Sequence, residues 1–233
     1  MNSYASILEN SIESLPCNKL IVISELYKQF SQMIPEQAFY KTIERLTKSG
    51  KIIHLTKGIY YRPKVGRFGT VPISEDEIAS HYIEGQQGIE VGYRMFNRRG
   101  LTTQVGKQIE VLSNSLPEER KHIRNVSVQR VNLNFDKEKT ATVEALEILQ
   151  AYPYIEDINK RALTEYMEGF SRKVYSDETI SEVFTARKYK KSTLAFMEAF
   201  LNYYHIKNSL KEYLSPLSKY NIPDVEGLYE ITQ

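Results

Sequence analysis

The sequence predicts a mixed α/β protein, mainly helical, because two kinds of hydrophobic period alternate along the chain. Apolar residues recur every three or four positions over residues 4–15 and 35–48, which is typical of amphipathic helices. Over residues 53–61 the period falls to two, which indicates short strands, and from 140 to about 213 the helical period returns. With 233 residues, 41% of them hydrophobic, the chain can form one large or two small domains.

The first 62 residues predict a short series of elements. In order they are a helix over 4–15, a strand over 20–23, a helix over 25–30 capped by Ser24, a turn over 31–34, a helix from Pro35 to Gly50, and two strands joined by Lys57-Gly58. Pro35 suits the first turn of a helix, and Gly58 supplies the positive φ of a tight hairpin turn. The third helix has one apolar face, formed by Phe39, Ile43 and Leu46, and a polar face opposite.

Helix, strand, helix, turn, helix and hairpin is the element order of a winged helix-turn-helix, whose third helix enters the major groove of DNA. We therefore predict a winged-helix domain over residues 1–66. The segment 63–72 contains glycines and prolines and has no period, so the domain boundary is placed there. Residues 67–233 are expected to form a second domain, with a small mixed α/β unit over 73–137 and helices over 138–215.

Basic charge is concentrated in the first of these domains. The whole chain has a formal net charge of only +2, but residues 1–70 contain ten Lys and Arg against five Glu. Between Arg45 and Ser74 there are seven basic residues and no Asp or Glu. Such a run suits phosphate neutralisation, because each cation that meets a phosphate releases condensed counterions. The alternative is a solvated hairpin edge that lysines protect from further strand pairing.

We predict a DNA-binding surface formed by the third helix, the hairpin and the residues that follow. Gln37 and Lys41 lie on the outward helix face and would read base edges, while most of the other cations would hold phosphates. Glu44 lies on the same face and would repel phosphate, unless it pairs with a neighbouring lysine or accepts from a cytosine. The predicted set is Gln37, Tyr40, Lys41, Arg45, Lys48, Lys57, Tyr61, Arg62, Lys64 and Arg67.

The second domain contains a further basic set. Ser74 and Glu77 form a capping-box pair that begins a helix, and Ile109 to Ser113 alternates as a strand, with one or two more strands expected over 126–135. A short helix ends at Gly100 and carries part of the second set, which is Arg94, Arg98, Arg99 and Lys107. This set is either a patch for DNA, RNA or an acidic protein surface, or a solvated helix face.

The sequence contains no residue pattern that is typical of a metal site, a cofactor site or a catalytic site. Cys17 is the only cysteine, so a disulfide within the chain and a thiolate metal cluster are excluded, and we expect it to be buried. The four histidines have no metal-ligand spacing, and no phosphate-binding loop or nucleophile elbow occurs. We expect no metal, no cofactor and no catalytic residues. Without a signal peptide or a long apolar run, we expect a cytoplasmic protein with no membrane partner.

Two segments resemble the AbiEi-type antitoxins of bacterial type IV toxin-antitoxin (abortive-infection) systems. The first is KIIHLTKGIYYRP over residues 51–63, and the second is RGLTTQ over 99–104, which runs on to a strand at Ile109 and Val111. The resemblance covers residues 35–135. Beyond residue 140 only the pattern of helices is similar, with the basic run 187–191 at the start of a helix.

The resemblance implies a winged-helix repressor of its own operon that binds inverted repeats in promoter DNA. It also implies a C-terminal region that counteracts a nucleotidyltransferase-type toxin, whether or not the two proteins touch. The family's DNA contacts lie on the third helix and the hairpin, which here correspond to Gln37, Lys41, Lys48, Lys57 and Arg62. A homodimer on DNA is compatible with paired half-sites.

Three alternatives to an antitoxin are open from the sequence. The first is a winged-helix transcription regulator without a toxin. The second is a nucleic-acid-processing enzyme that the winged helix targets, against which stands the lack of a catalytic pattern. The third is a winged helix that binds protein in place of DNA, for which partner binding would be independent of salt.

Overall fold

A computed structural model describes residues 3–230 and confirms a mixed α/β protein that is mainly helical. The chain divides into two compact units, Met1–His81 and Tyr82–Gln233, which we call unit 1 and unit 2. None of the helices within the described residues combines the length and the apolar character needed to span a bilayer.

Unit 1 begins with three helices and a small antiparallel sheet. Its first elements are α1 (Tyr4–Ser14), β1 (Leu20–Val22), α2 (Ile23–Phe30), α3 (Glu36–Lys48), β2 (Ile53–Thr56) and β3 (Ile59–Tyr61). The central strand β3 pairs with both β1 and β2. Apolar side chains of the three helices, including Leu8, Ile12, Phe39 and Ile43, form one buried core. These six elements are the ones that the hydrophobic periods predict.

Two local predictions in unit 1 are wrong. α2 begins at Ile23 and not after Ser24, and no side chain caps it. The reason is that the Ile23 amide donates to the carbonyl oxygen of Gly58 at 2.9 Å, so the turn between β2 and β3 supplies the acceptor that a cap would provide. Cys17 is exposed, because it lies in the turn between α1 and β1.

The segment predicted as a linker is a second hairpin. Its strands are β4 (Lys64–Gly66) and β5 (Gly69–Val71), which pair antiparallel around an Arg67-Phe68 turn. The predicted domain boundary at residue 66 therefore falls at a hairpin turn, and unit 1 continues to His81. Gly66 and Gly69 look like breaks in the sequence, yet they are paired residues of the ladder, and Gly69 has a φ of 108° that suits glycine.

The predicted capping box is confirmed at the start of α4 (Glu75–Ile83). The Ser74 amide donates to Glu77 Oε2 at 2.7 Å, and the Glu77 amide donates to Ser74 Oγ at 3.2 Å. The hydrogen bond from the Ser74 amide lowers the pKa of the Glu77 carboxyl. This helix thus has a well-defined beginning immediately after the second hairpin.

Unit 2 contains a four-stranded sheet in the order β6-β7-β9-β8. The strands are β6 (Gly88–Val91), β7 (Ile109–Ser113), β8 (Arg120–Ile123) and β9 (Val126–Arg130), and α5 (Tyr93–Arg98) follows β6. β7 and β9 are parallel, and the other neighbours are antiparallel. β7, β9 and α5 agree with the sequence analysis, which did not predict β6 or β8. Residues 131–135, predicted as a possible strand, are not part of the sheet.

The rest of unit 2 is helical, as predicted. The helices are α6 (Lys137–Ala151), α7 (Lys160–Lys173), α8 (Asp177–Ala186), α9 (Lys191–Tyr203) and α10 (Val225–Glu230), with short 3₁₀ turns at Glu84–Gln86, Tyr152–Tyr154 and Leu210–Tyr213. Pro153 and Ser176 mark breaks between helices, and the Ser176 hydroxyl caps α8 by accepting from the Thr179 amide at 3.1 Å. One large core, with Leu146, Met167 and Phe200 at its centre, unites these helices with the sheet.

Candidate nucleic-acid interface

The outward face of α3 has the character that the sequence predicts. Phe39, Ile43 and Leu46 are buried, whereas Gln37 and Lys41 are exposed one turn apart. Neither of these two side chains makes an ion pair or hydrogen bond with another of the residues 3–230. An amide and an ammonium group are therefore available on one helix face, which suits the recognition of base edges.

Tyr40 lies at the border between the core and this face. Its ring centroid is 5.4 Å from that of Phe39 and 6.1 Å from that of Tyr27 on α2, so one side of the ring is packed. Tyr40 is nevertheless exposed, so it is anchored but accessible. Such a rigid aromatic side chain can contact a ligand at little cost in conformational entropy.

α3 ends in a tight connection that fixes the position of the first hairpin. Gly50 has a φ of 73°, and the amides of Lys51 and Ile52 donate to the carbonyl oxygen of Leu46 at 3.0 and 3.3 Å. The turn between β2 and β3 contains the exposed Lys57. This turn is held against the start of α2, because the Ile23 amide donates to the carbonyl oxygen of Gly58. Helix and hairpin therefore have defined relative positions.

Three of the cations near α3 are neutralised by neighbouring acids. Arg45 Nη2 lies 3.2 Å from Glu9 Oε2 on α1, and Lys48 Nζ lies 2.6 Å from Glu44 Oε1. Lys51 forms ion pairs with Glu9 and with Glu13, the latter at 2.7 Å. The contact of Lys48 with Glu44 confirms that Glu44 pairs with a neighbouring lysine, and the hydrogen bond from Lys48 lowers the pKa of Glu44. Arg45 and Lys48 thus have less free charge than the sequence indicates.

Two predicted contact residues have structural roles instead. Tyr61 is 2% exposed, because it lies on the same face of β3 as Ile59 and points into the core, so the prediction that it contacts DNA is wrong. Arg62 Nη1 donates to the carbonyl oxygens of Glu13 and Leu15, both at 2.6 Å. Because these carbonyls belong to the end of α1, Arg62 closes that helix, and its Nη1 group is engaged within unit 1.

Like Lys19 and Lys28 elsewhere in unit 1, four cations of the predicted set are exposed and have no acidic partner within 4 Å among residues 3–230. They are Lys41 on α3, Lys57 in the first hairpin turn, Lys64 on β4 and Arg67 in the second hairpin turn. All four were predicted to contact DNA. None of the four is held in an ion pair, so they are the part of the predicted set best suited to bind an anionic polymer.

Asn18 organises the second hairpin and was not identified from the sequence. It is buried with a φ of 57°, its Oδ1 accepts from the Lys64 amide at 3.3 Å, and its Nδ2 donates to Glu77 Oε1 at 3.1 Å. The Asn18 amide also donates to the Arg62 carbonyl at 2.7 Å. One side chain therefore joins the first residue of β4 to α4, and no local sequence pattern reveals this long-range contact.

The second basic set, in unit 2, is largely paired. Arg94 and Arg98 both contact Glu90 Oε1, at 3.5 and 3.2 Å, and Glu90 is mostly buried on β6. Arg99 Nη2 lies 2.5 Å from Glu144 Oε2 on α6, and Glu144 is buried. Lys107 is exposed in the loop before β7. The sequence analysis did not predict β6, so it could not identify Glu90 as the partner of two arginines.

No group of three or more His, Cys, Asp or Glu side chains within residues 3–230 is arranged to hold a metal ion. One surface cavity of unit 2, of about 460 Å³, lies near Pro216 and is lined by residues that include Ala195, Glu198, Asn202 and Lys211. This lining has one acidic and one basic side chain, and Lys211 Nζ lies 3.9 Å from Glu198 Oε1. The cavity therefore offers no concentrated charge for a ligand.

One comparison with known proteins gives a match. The sequence model of the family of unknown function DUF6088 matches residues 8–152, which is more than half of the chain. The matched region begins in α1 and continues to the end of α6, so it includes the candidate interface and the sheet of unit 2. No curated protein matches the chain at a significant level.

Proposed function

We propose that this chain, which belongs to the DUF6088 family of unknown function, is a winged-helix repressor that binds the promoter DNA of its own operon. Unit 1 would carry the DNA-binding function. α3 would enter the major groove, and the turn between β2 and β3 would contact the flanking backbone.

The element order supports this proposal. α1, β1, α2, α3 and the β2-β3 hairpin follow one another as in a winged helix, and β1 pairs with β3 to close the small sheet. The connection between α2 and α3 is short and contains Pro35 immediately before α3. This arrangement leaves the face with Gln37 and Lys41 outward, where a helix can meet base edges.

The observation that carries the proposal is the set of free cations. Lys41, Lys57, Lys64 and Arg67 are exposed, and none has an acidic group within 4 Å among the described residues. A polyanion can pair with exposed cations that have no acid within 4 Å, and it releases its own condensed counterions when it does. Gln37 and Lys41 would add sequence selectivity through bidentate or paired contacts to adenine and guanine.

The direct test is a gel-shift titration of the full chain against its own upstream DNA and a scrambled duplex. We expect selective binding to the upstream DNA, loss of selectivity in Lys41→Ala, and unchanged binding in Lys19→Ala, a control at another exposed lysine of unit 1. Equal binding to both duplexes would leave only a non-specific basic surface. Absence of any shift, with salt-independent binding of a protein, would support the protein-binding alternative.

We further propose that the chain acts as the antitoxin of a type IV toxin-antitoxin system. The support is the resemblance of residues 51–63 and 99–111 to AbiEi-type antitoxins, and it implies a nucleotidyltransferase-type toxin encoded next to this chain. Growth rescue on co-expression with that neighbour is the expected result. Failure of rescue together with intact promoter binding would favour a stand-alone transcription regulator.

A further inference from the structure

The β4-β5 hairpin exposes an aromatic side chain at its tip. Phe68 is 98% exposed, and Val65 on β4 is exposed as well. A fully solvated phenylalanine lacks the stabilisation that burial of its ring would give, and an exposed aromatic ring lowers solubility. Such a ring at a hairpin tip therefore indicates a surface that binds a partner. Nothing within residues 3–230 covers the ring.

The charges around this tip indicate which partner fits. Arg67 precedes Phe68, and its guanidinium carbon lies 5.7 Å from the ring centroid. Lys64 is exposed at the base of the same hairpin, where its charge helps to lower the pKa of Glu77, and no Asp or Glu occurs between Arg45 and Ser74. An apolar tip on a hairpin with two exposed cations is complementary to a surface that combines negative charge with flat apolar faces. Duplex DNA has that combination, in its phosphates and its stacked bases.

The shape of the hairpin also suits a groove. Behind the tip, Gly66 pairs with Gly69, so no side chains widen the ribbon beside the turn. At the other end, Asn18 joins the Lys64 amide to Glu77 of α4, so the base of the ribbon is fixed to the rest of unit 1. A narrow tip on an anchored base can enter a groove without losing its orientation.

We propose that the β4-β5 hairpin is a second DNA-binding element, and that Phe68 inserts between base pairs from the minor groove and bends the duplex. Apolar side chains used in this way unstack a base step and kink DNA toward the major groove. Arg67 then lies at the phosphates or in the groove beside the kink, and Lys64 holds the backbone further along. The proposal rests on the DNA-binding function proposed for unit 1.

The test measures DNA bending and affinity separately, with the full chain and its own upstream DNA labelled at both ends for energy transfer. We expect the wild type to bend the duplex, and Phe68→Ala to lose at least half of the bend and about tenfold in affinity. Phe68→Leu retains a wedge and most of the bend. Leu217→Ala, which removes a side chain that is 97% exposed in unit 2, is the matched control and behaves as wild type.

Each result leads to one conclusion. Phe68→Ala that binds and bends like wild type overturns the wedge and leaves the repressor proposal standing. A wild type that binds no DNA removes both. A third arm uses vesicles of phosphatidylglycerol: co-sedimentation that Phe68→Ala abolishes, with DNA bending unchanged, assigns the hairpin to a lipid surface and overturns the DNA assignment. Because Phe68 makes no buried contact, an unchanged melting temperature verifies that each variant is folded.

Discussion

The two units differ in what their basic side chains contact. In unit 1, Lys41, Lys57, Lys64 and Arg67 are exposed and have no acidic group within 4 Å among the described residues. In unit 2, the arginines that the sequence presents as a patch are bound to acids, of which Glu90 and Glu144 are mostly or fully buried. The comparison teaches that the number of cations in a segment does not give the charge available to a ligand. That charge depends on which cations form ion pairs with acids on other elements.

The same distinction occurs within unit 1. Glu9 on α1 accepts from both Arg45 and Lys51, and the hydrogen bond from Lys51 lowers the pKa of the Glu9 carboxyl. These two cations hold α1 against the end of α3. The cations from Lys57 onward belong to the two hairpins, and within the described residues no acidic side chain of α1 forms an ion pair with them. Among them, Arg62 contacts the end of α1 through backbone carbonyl oxygens.

The largest loss of stability is expected at the ion pair between Arg187 and Glu147 in unit 2, where both side chains are largely buried. Their side chains are 17% and 12% exposed, the two atoms Nε and Oε1 lie 2.8 Å apart, and Arg187 also donates to Gln129. Arg187→Ala leaves a carboxylate with little solvent and should lower the free energy of unfolding by about 3 kcal/mol. Urea denaturation measures it, with the exposed neighbour Lys188→Ala as control. Equal stability of the two variants would contradict a structural role for Arg187.

The next effect separates two neighbouring cations of unit 1. Arg62→Ala removes two charge-assisted hydrogen bonds at the end of α1, so we expect about 2 kcal/mol lower stability and an unchanged salt dependence of DNA binding. Lys57→Ala should leave stability unchanged and lower the slope of log affinity against log salt by about one. Chemical denaturation and anisotropy titrations at several salt concentrations give the two quantities. A lower salt slope of DNA binding in Arg62→Ala would indicate that Arg62 also contacts a phosphate.

A smaller effect is expected at the second basic set. Reversing both charges in Arg94→Glu/Arg98→Glu places two acids beside Glu90 and should cost about 1 kcal/mol of stability. DNA affinity should not change, because these guanidiniums are engaged with Glu90 in the native protein. Parallel thermal and gel-shift measurements test this. A loss of DNA affinity or of toxin neutralisation at unchanged stability would show that the patch is functional.

The smallest effect is expected at Glu44, where a substitution compares Lys48 with and without its acidic partner. Glu44→Gln removes the partner of Lys48 and turns a paired cation into a free one. Both side chains are largely exposed, so the melting temperature should not change measurably. The salt slope of DNA binding should rise by about one and the affinity at low salt should increase. An affinity that falls would indicate that Glu44 itself accepts a hydrogen bond from a base.

Local patterns predicted most of the elements because their causes are local. The apolar face of α3, the positive φ of Gly58 and the capping box of Ser74 and Glu77 each depend on residues within a few positions. β8 escaped prediction because its sequence RKHI places charges on a strand of which only Ile123 is buried. The second hairpin escaped because its glycines were interpreted as chain breaks and not as the narrow end of a ribbon.

Most of the errors in the predicted basic sets have one physical origin, which is pairing between distant parts of the chain. Lys51 and Glu9 are separated by 42 positions, and Arg99 and Glu144 by 45, so no window of sequence shows that these charges meet. Tyr61 is different, since its alternation with Tyr60 already placed it beside Ile59 on the inward face of the strand. The prediction that it contacts DNA neglected the period that had defined the strand.

The most direct measurement compares two variants of the full chain that each lose three positive charges. One is Lys57→Ala/Lys64→Ala/Arg67→Ala in unit 1, and the other is Arg94→Ala/Arg98→Ala/Lys107→Ala in unit 2. The salt slope for binding to the upstream DNA should fall by nearly three in the first variant and stay at the wild-type value in the second. Equal slopes in the two variants, or a reduction confined to the second, would contradict the assignment of DNA binding to the free cations of unit 1.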